Sequence, residues 1–250
     1  GGAYIERGTV SRDSVVSDDN SIVWLGDDLN VYRAEGYVPQ RISTDALEEE
    51  LFGYTTTADV IGSAWDEGGR KLYGLWFPTE QKTHVYDFST QKWHIRQSFG
   101  KGYWRACFVT RCYNKTYVGD LESGAIGLLD RSVATEYGSF MQAIRVGQTL
   151  HAEGAMFSLD RLQLLFQSGD GTVTGQGYDP AVALFLSKDF GHTYPAASKV
   201  RSLGKRGEYK KTAVWRQQGL YRQCTPKIII TDPVPRYIID AYSEITPRLV

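Results

Sequence analysis

The residues of this chain best suited to chemistry lie in SKDFGHTY (187–194), where Ser187, Asp189, Gly191, Thr193 and Tyr194 fit the pattern Ser-x-Asp-x-Gly-x-Thr-aromatic. That pattern is the turn motif called an Asp box, found in sialidases and other β-propellers, so glycoside cleavage is the first chemistry to weigh. Most glycosidases need two carboxylates about the scissile bond, whereas sialidases use a Tyr nucleophile. They also need three converging arginines, because a guanidinium pairs a carboxylate bidentately. Here Arg33, Arg41, Arg70, Arg96, Arg105 and Arg111 are scattered, and no short motif selects three of them. The Asp box is itself a turn remote from catalysis. It argues for a β-fold and for no reaction, and no catalytic residue is assigned.

Other chemistries find less support. His84, His94, His151 and His192 stand apart, none at metal-ligand spacing with another His, Cys or carboxylate. His84 and His94 are expected to pair at the surface across one hairpin. The run SGDGTVTGQGYD (168–179) is Gly-rich but has no Lys after the glycines and no following helix, so it reads as a long loop. SDDNS (17–21) lacks the Gly and distal Glu of a calcium loop. Asn114-Lys115-Thr116 fits a glycosylation acceptor, with no secretion signal to give it meaning. No metal or other cofactor is expected.

One charged stretch stands out. Lys199, Arg201, Lys205, Arg206, Lys210, Lys211 and Arg216 face only Glu208, with Tyr209 and Trp215 interleaved. It reads as a solvated or subunit-facing surface, or as a face that meets nucleic acid or another acidic partner.

The elements that must position these groups are strands. Twenty-six glycines, 16 tyrosines and only two methionines indicate tight turns and half-buried aromatic strands. Alternating segments recur in units near 14–44, 58–98, 104–138 and 148–203, with closing strands at 209–245. Asp18-Asp19-Asn20, Gly26-Asp27-Asp28 and Ala34-Glu35-Gly36 are turns of the first unit; Asp66 to Gly69, Pro78 to Glu80 and Ser89 to Gln91 are turns of the second. In this register the Asp box matches YRAEGY and YDFSTQKW, the hairpin between the third and fourth strands of a unit, with Tyr194 packed inward. Units of this size predict an all-β, propeller-like array of four-stranded antiparallel blades in one domain over 1–250. DALEEELF (45–52) breaks the pattern as a short inter-blade helix, with Asp45 as N-cap and Glu48 in the capping box.

The net charge of −1 gives no overall field to recruit nucleic acid or an anionic membrane. No stretch approaches the roughly 18 apolar residues that span a bilayer. The three cysteines, Cys107, Cys112 and Cys224, read as reduced thiols. The N-terminus GGAYIERGTV has no initiator Met and starts almost at once on a strand pattern, as in a fragment of a longer protein.

SVVSDDNSIVWLGDDLNVYRAEGYVPQRIST (14–44) followed by DALEEEL resembles a signature region of the packaged-DNA stabilization proteins of short-tailed, lambdoid-type phages. LSKDFGHTY, SLGKRGEYKKTAVWRQQG and TDPVPRYIIDAYSEI resemble their C-terminal region. There a Gly-x-x-Gly-x-Tyr…Trp-Arg segment (Gly204, Gly207, Tyr209, Trp215, Arg216) precedes a Thr-Asp-Pro-Val strand (Thr231 to Val234). The resemblance implies a non-enzymatic component of the phage tail machine, made in the bacterial cytoplasm. It would close the portal channel after packaging, as a ring of six, and act as a hub for the tail needle and tailspikes. Its partners would be the portal and adaptor rings, and DNA only transiently. The basic segment would then be a docking or DNA-proximal face. The alternatives are a propeller that binds glycans or proteins, for which a shallow pocket of Trp65, Trp76, Trp93 and Trp104 would speak, and a sialidase-like hydrolase. Those tryptophans also suit blade cores.

Overall fold

A computed structural model describes residues 5–18, 21–196 and 198–248. Among the described residues the structure is all-β apart from one α-helix and one short 3-10 turn, and its contacts divide it into two compact units, residues 1–132 and 133–250, where the sequence led us to expect one.

The first unit holds three antiparallel sheets. Val16–Asp18, Ser21–Leu25, Val31–Glu35 and Val38–Arg41 pair in chain order, as do Ile61–Glu67, Arg70–Phe77, Lys82–Asp87 and Lys92–Ile95. These are the first two expected units, each a small four-stranded blade. Of the expected Asp18-Asp19-Asn20 turn, Asp19 and Asn20 lie outside the described residues. The third sheet has three strands, Ala106–Cys112, Lys115–Asp120 and Ile126–Leu128. The remainder of the expected 104–138 unit is a separate hairpin of Thr135–Glu136 with Ser139–Phe140, which falls in the second unit.

Aromatic side chains of the middle sheet tie it to its neighbours. Tyr73, fully buried, donates to the Ser14 carbonyl at 2.7 Å, and Trp93 Nε1 donates to the Ile42 carbonyl at 2.8 Å. On the other side Trp76 Nε1 donates to the Trp104 carbonyl at 3.1 Å. Large rings can fill a sheet interface only if their polar tips find partners, and here the neighbouring backbone supplies them.

The helix Asp45–Phe52 buries Leu47 and Leu51 in the core formed by Val23, Leu25, Val31, Leu75 and Phe77. Its N-cap is Thr44 and not Asp45, since Thr44 Oγ1 accepts from the Leu47 amide. Glu48 makes no capping box: it pairs with Arg41 at 2.6 Å and accepts from Ser43 Oγ at 2.5 Å. The helix is thereby tied to the last strand of the first blade.

The second unit does not contain the sequential four-stranded unit expected over 148–203. Met156–Phe166 pairs with Ala213–Arg216 and Leu220–Tyr221 and, along ten register positions, with Ile238–Arg248. Ala181–Ser187 lies in a different sheet, between Gln223–Ile230 and Lys199–Ser202. Phe157, Leu159, Leu162, Leu164 and Phe166 from one sheet and Val182, Leu184, Leu186, Ile228 and Ile230 from the other share one buried cluster. Two sheets that bury one face each against a common core are a sandwich. The expected closing strands are central here, because Gln223–Ile230 pairs with Ala181–Ser187, Ala143–Val146 and Leu150–His151. Alternation along a strand tells which face is buried; it does not tell which strand pairs with it.

Candidate functional site

The Asp box is a turn locked by one carboxylate. Asp189 accepts from Ser187 Oγ (2.5 Å), from the Thr193 amide (2.9 Å) and from Thr193 Oγ1 (2.5 Å), while Ser187 Oγ accepts from the Gly191 amide (2.9 Å). These bonds, Ser187's first, hold the Asp189 carboxyl well below the usual carboxylate range. Phe190 and Gly191 take left-handed backbone at φ 59° and 92°, the second of which only glycine adopts without strain. Tyr194 is half-buried, with the Lys227 ammonium 3.7 Å from its ring centre. The motif joins Ala181–Ser187 to Lys199–Ser202 in the sandwich.

Two further aspartates do the same work in the first unit, and their turns carry no motif. Asp87 ends a strand and accepts from the Ser89 and Thr90 amides; Asp120 ends another and accepts from the Glu122 and Ser123 amides. Each is paired with an arginine from the adjoining strand or its entry, Arg70 at 3.3 Å and Arg105 at 3.0 and 2.5 Å. Asp120 is held well below the usual range, by Arg105 first. The shared signal, an Arg across the ladder from a strand-ending Asp, is visible only once the strands are paired.

Every arginine weighed for carboxylate binding is already engaged. Arg41 pairs with Asp45 and Glu48, Arg70 with Asp87, Arg96 with Glu67, Arg105 with Asp120, and Arg111 with Asp66. Arg33 stacks on Phe88 at 5.1 Å. Trp65, Trp76 and Trp104 are 1–5% exposed and pack on one another at 5.6–5.9 Å, with Arg96 over two of them. They form no open platform for a sugar, and Trp93 packs elsewhere, on Tyr86.

His84 is buried instead of lying at the surface, and its register partner is Ile95 while His94 faces Val85. Tyr54 donates its one proton to Glu50 at 3.1 Å and so accepts from His84 Nε2 at 2.7 Å. Burial holds His84 below its ordinary value. Among the described residues no group of His, Cys, Asp and Glu is arranged to hold a metal ion. Cys107 and Cys224 are buried thiols and Cys112 is an exposed one.

The seven basic residues all lie exposed on one crossover. Lys199–Ser202 is the edge strand of one sheet, Ala213–Arg216 is an edge of the other, and the loop 203–212 bridges them. Among the described residues none of the seven has a carboxylate partner; Lys199 donates to Gln218 at 2.7 Å and Arg201 to the Val214 carbonyl at 2.9 Å. The residues that carry the family resemblance build this crossing. Trp215, fully buried, donates its Nε1 to the Lys199 carbonyl at 2.8 Å and so clasps the two edges together. Tyr209 lies over Gly169, where a Cβ would come within 2.4 Å of the ring. The Gly-rich run 168–179 is therefore a seat for this loop and not a phosphate cradle.

Thr231 to Val234 is a bend and not a strand: Asp232 accepts from the Ala181 amide at 2.8 Å, pinning the start of that strand. The near-neutral chain also divides by charge. Residues 1–132 carry 14 Lys and Arg against 19 Asp and Glu, net −5, and residues 133–250 carry 14 against 10, net +4.

Among the described residues no helix is long and apolar enough to cross a membrane. No curated protein matches the chain. Among solved structures, a chain titled "Glycoside hydrolase" is similar at 11% identity, covering 90% of this chain and 70% of that one, with a TM-score of 0.23. Overlap that low carries no argument. Two domain families do match: "Bacteriophage P22 Gp10, beta-propeller" over residues 1–134, and "Bacteriophage P22 Gp10, beta-sandwich" over residues 142–246. The sheets of the first unit fall within the first span and the sandwich of the second within the other, apart from the last two residues of Ile238–Arg248, and the chain belongs to the bacteriophage P22 Gp10 family, structural proteins of the phage tail that stabilise packaged DNA.

Proposed function

We propose that this protein closes the portal channel of a short-tailed phage after packaging, as a ring of six copies on the virion. In this role it has no catalytic activity and serves as the hub to which tail needle and tailspikes attach. It is made in the host cytoplasm, adds beneath the portal and adaptor rings, and meets DNA only transiently. The observation that carries the reading is the match to both Gp10 families along the chain. The engaged arginines and buried tryptophans support it, since a plug needs rigid scaffolding and no reactive site.

The basic crossover is the docking face. Seven exposed cations that have no carboxylate partner among the described residues favour an acidic protein surface by complementarity. Replacing Arg206, Lys210 and Lys211 with Glu is expected to abolish addition to DNA-filled heads, read by sedimentation of the particles. These side chains are exposed, so the fold is expected to survive. Unchanged addition would rule out this face.

A further inference from the structure

The sandwich has a cavity of about 410 Å³ where the Asp box meets the basic crossover. Its floor is core: Leu184, Leu186 and Tyr221 are each at most 8% exposed. Its rim is polar: Lys188 and Thr193 come from the locked turn, and Lys199 opens the edge strand. The Lys188 ammonium stands 5.5 Å from the centre of the Tyr221 ring. Burial pushes the Cys224 thiol up to about 11, and the charges of Lys199 and Lys188 oppose that shift. Among the described residues neither lysine has a carboxylate partner. An apolar floor beneath two unneutralised cations is complementary to an apolar group carried beside a carboxylate.

The neighbouring backbone narrows the source. Lys199–Ser202 forms a ladder on one side, with Ala181–Ser187; its Lys199 and Val200 carbonyls also accept from Trp215 Nε1 at 2.8 Å and Arg201 at 2.9 Å, while Val200 itself is 52% exposed. An extended chain laid beside this exposed strand would be held by its side chains, one of them entering the adjoining pocket. We infer that this pocket receives an extended segment of a protein partner, seating an apolar side chain on Leu184, Leu186 and Tyr221 and flanking carboxylates on Lys188 and Lys199. The Asp box acts as a positioning element, because the Asp189 hydrogen bonds fix the turn that carries Lys188 and Thr193. The inference rests on the docking role of the basic crossover and gives its partner a chemistry.

The test is a fluorine NMR titration of the whole chain with a capped peptide, Gly-Ser-Asp-(4-fluoro-Phe)-Glu-Ser-Gly. Its Asn/Gln counterpart and free 3-(4-fluorophenyl)propanoate serve as the comparison ligands. The acidic peptide is expected to bind at least about tenfold more tightly than either, with affinity falling as salt rises. Lys188→Gln with Lys199→Gln should remove that preference, and Lys210→Gln with Lys211→Gln should leave it intact. Equal binding of the two peptides, insensitivity to the first lysine pair, or a free anion that matches the peptide would each overturn the inference. Failure here, with DNA still retained in particles, would sink this pocket alone; loss of the plug role would show in the particles whatever the peptide does.

Discussion

Asp189 uses its carboxylate for shape. All of its observed hydrogen bonds run to Ser187 and Thr193, within the turn. Replacing Asp189 with Ala should therefore raise the exchange rate of the Thr193 amide by about tenfold or more while leaving the core strands protected. An unchanged Thr193 amide would mean that the turn is held by something else. The turn can be read from the sequence because its hydrogen bonds are local: donors and acceptor lie within eight residues. Asp87 and Asp120 hold equivalent turns, yet DFST and DLES share no consensus with it, and their arginines come from other positions along the chain. Pairing of distant residues is decided by strand register, which no short pattern states.

At the scale of elements, two contacts make sharp predictions. Trp215 clasps the crossover, fully buried and bonded to Lys199. Trp215→Ala should destabilise the protein by about 3–5 kcal/mol in urea melts, as deletion of a large core aromatic does. The helix Asp45–Phe52 is tied to the middle blade through Glu50, Tyr54 and His84, with Lys82 also near Glu50 at 3.8 Å. His84 is held below its ordinary value by burial, so the unfolded chain takes up that proton more readily. Stability should fall as pH drops through about 6.5 and stop responding to this group once pH passes below its folded value. His84→Gln should flatten the decline in melting temperature between about pH 7 and pH 5; an equal slope in both proteins would remove His84 as its cause. The helix itself was readable from DALEEELF to the residue. Its cap was not, because Thr44 and Asp45 are both good capping residues and only backbone geometry separates them. The reading of 148–203 as a blade failed for a related reason: strand, turn and strand look alike in a blade and in a sandwich.

At the scale of the whole molecule the two units have separate cores. The buried cluster around Phe157, Leu184, Trp215 and Ile228 is drawn entirely from residues 133–250. That segment expressed alone should unfold in one cooperative step with a native-like near-ultraviolet spectrum; a gradual transition would show that it depends on residues 1–132. The opposite charges of the units, −5 and +4, also escaped a reading that used the net charge of −1. We propose that this protein keeps packaged DNA inside the particle by closing its channel. The most direct measurement adds the purified protein to DNA-filled heads that lack it and follows DNA release with an intercalating dye. Release should stop, and should continue with the Arg206, Lys210 and Lys211 to Glu variant. DNA that leaks at the same rate with the protein bound or absent would rule out channel closure.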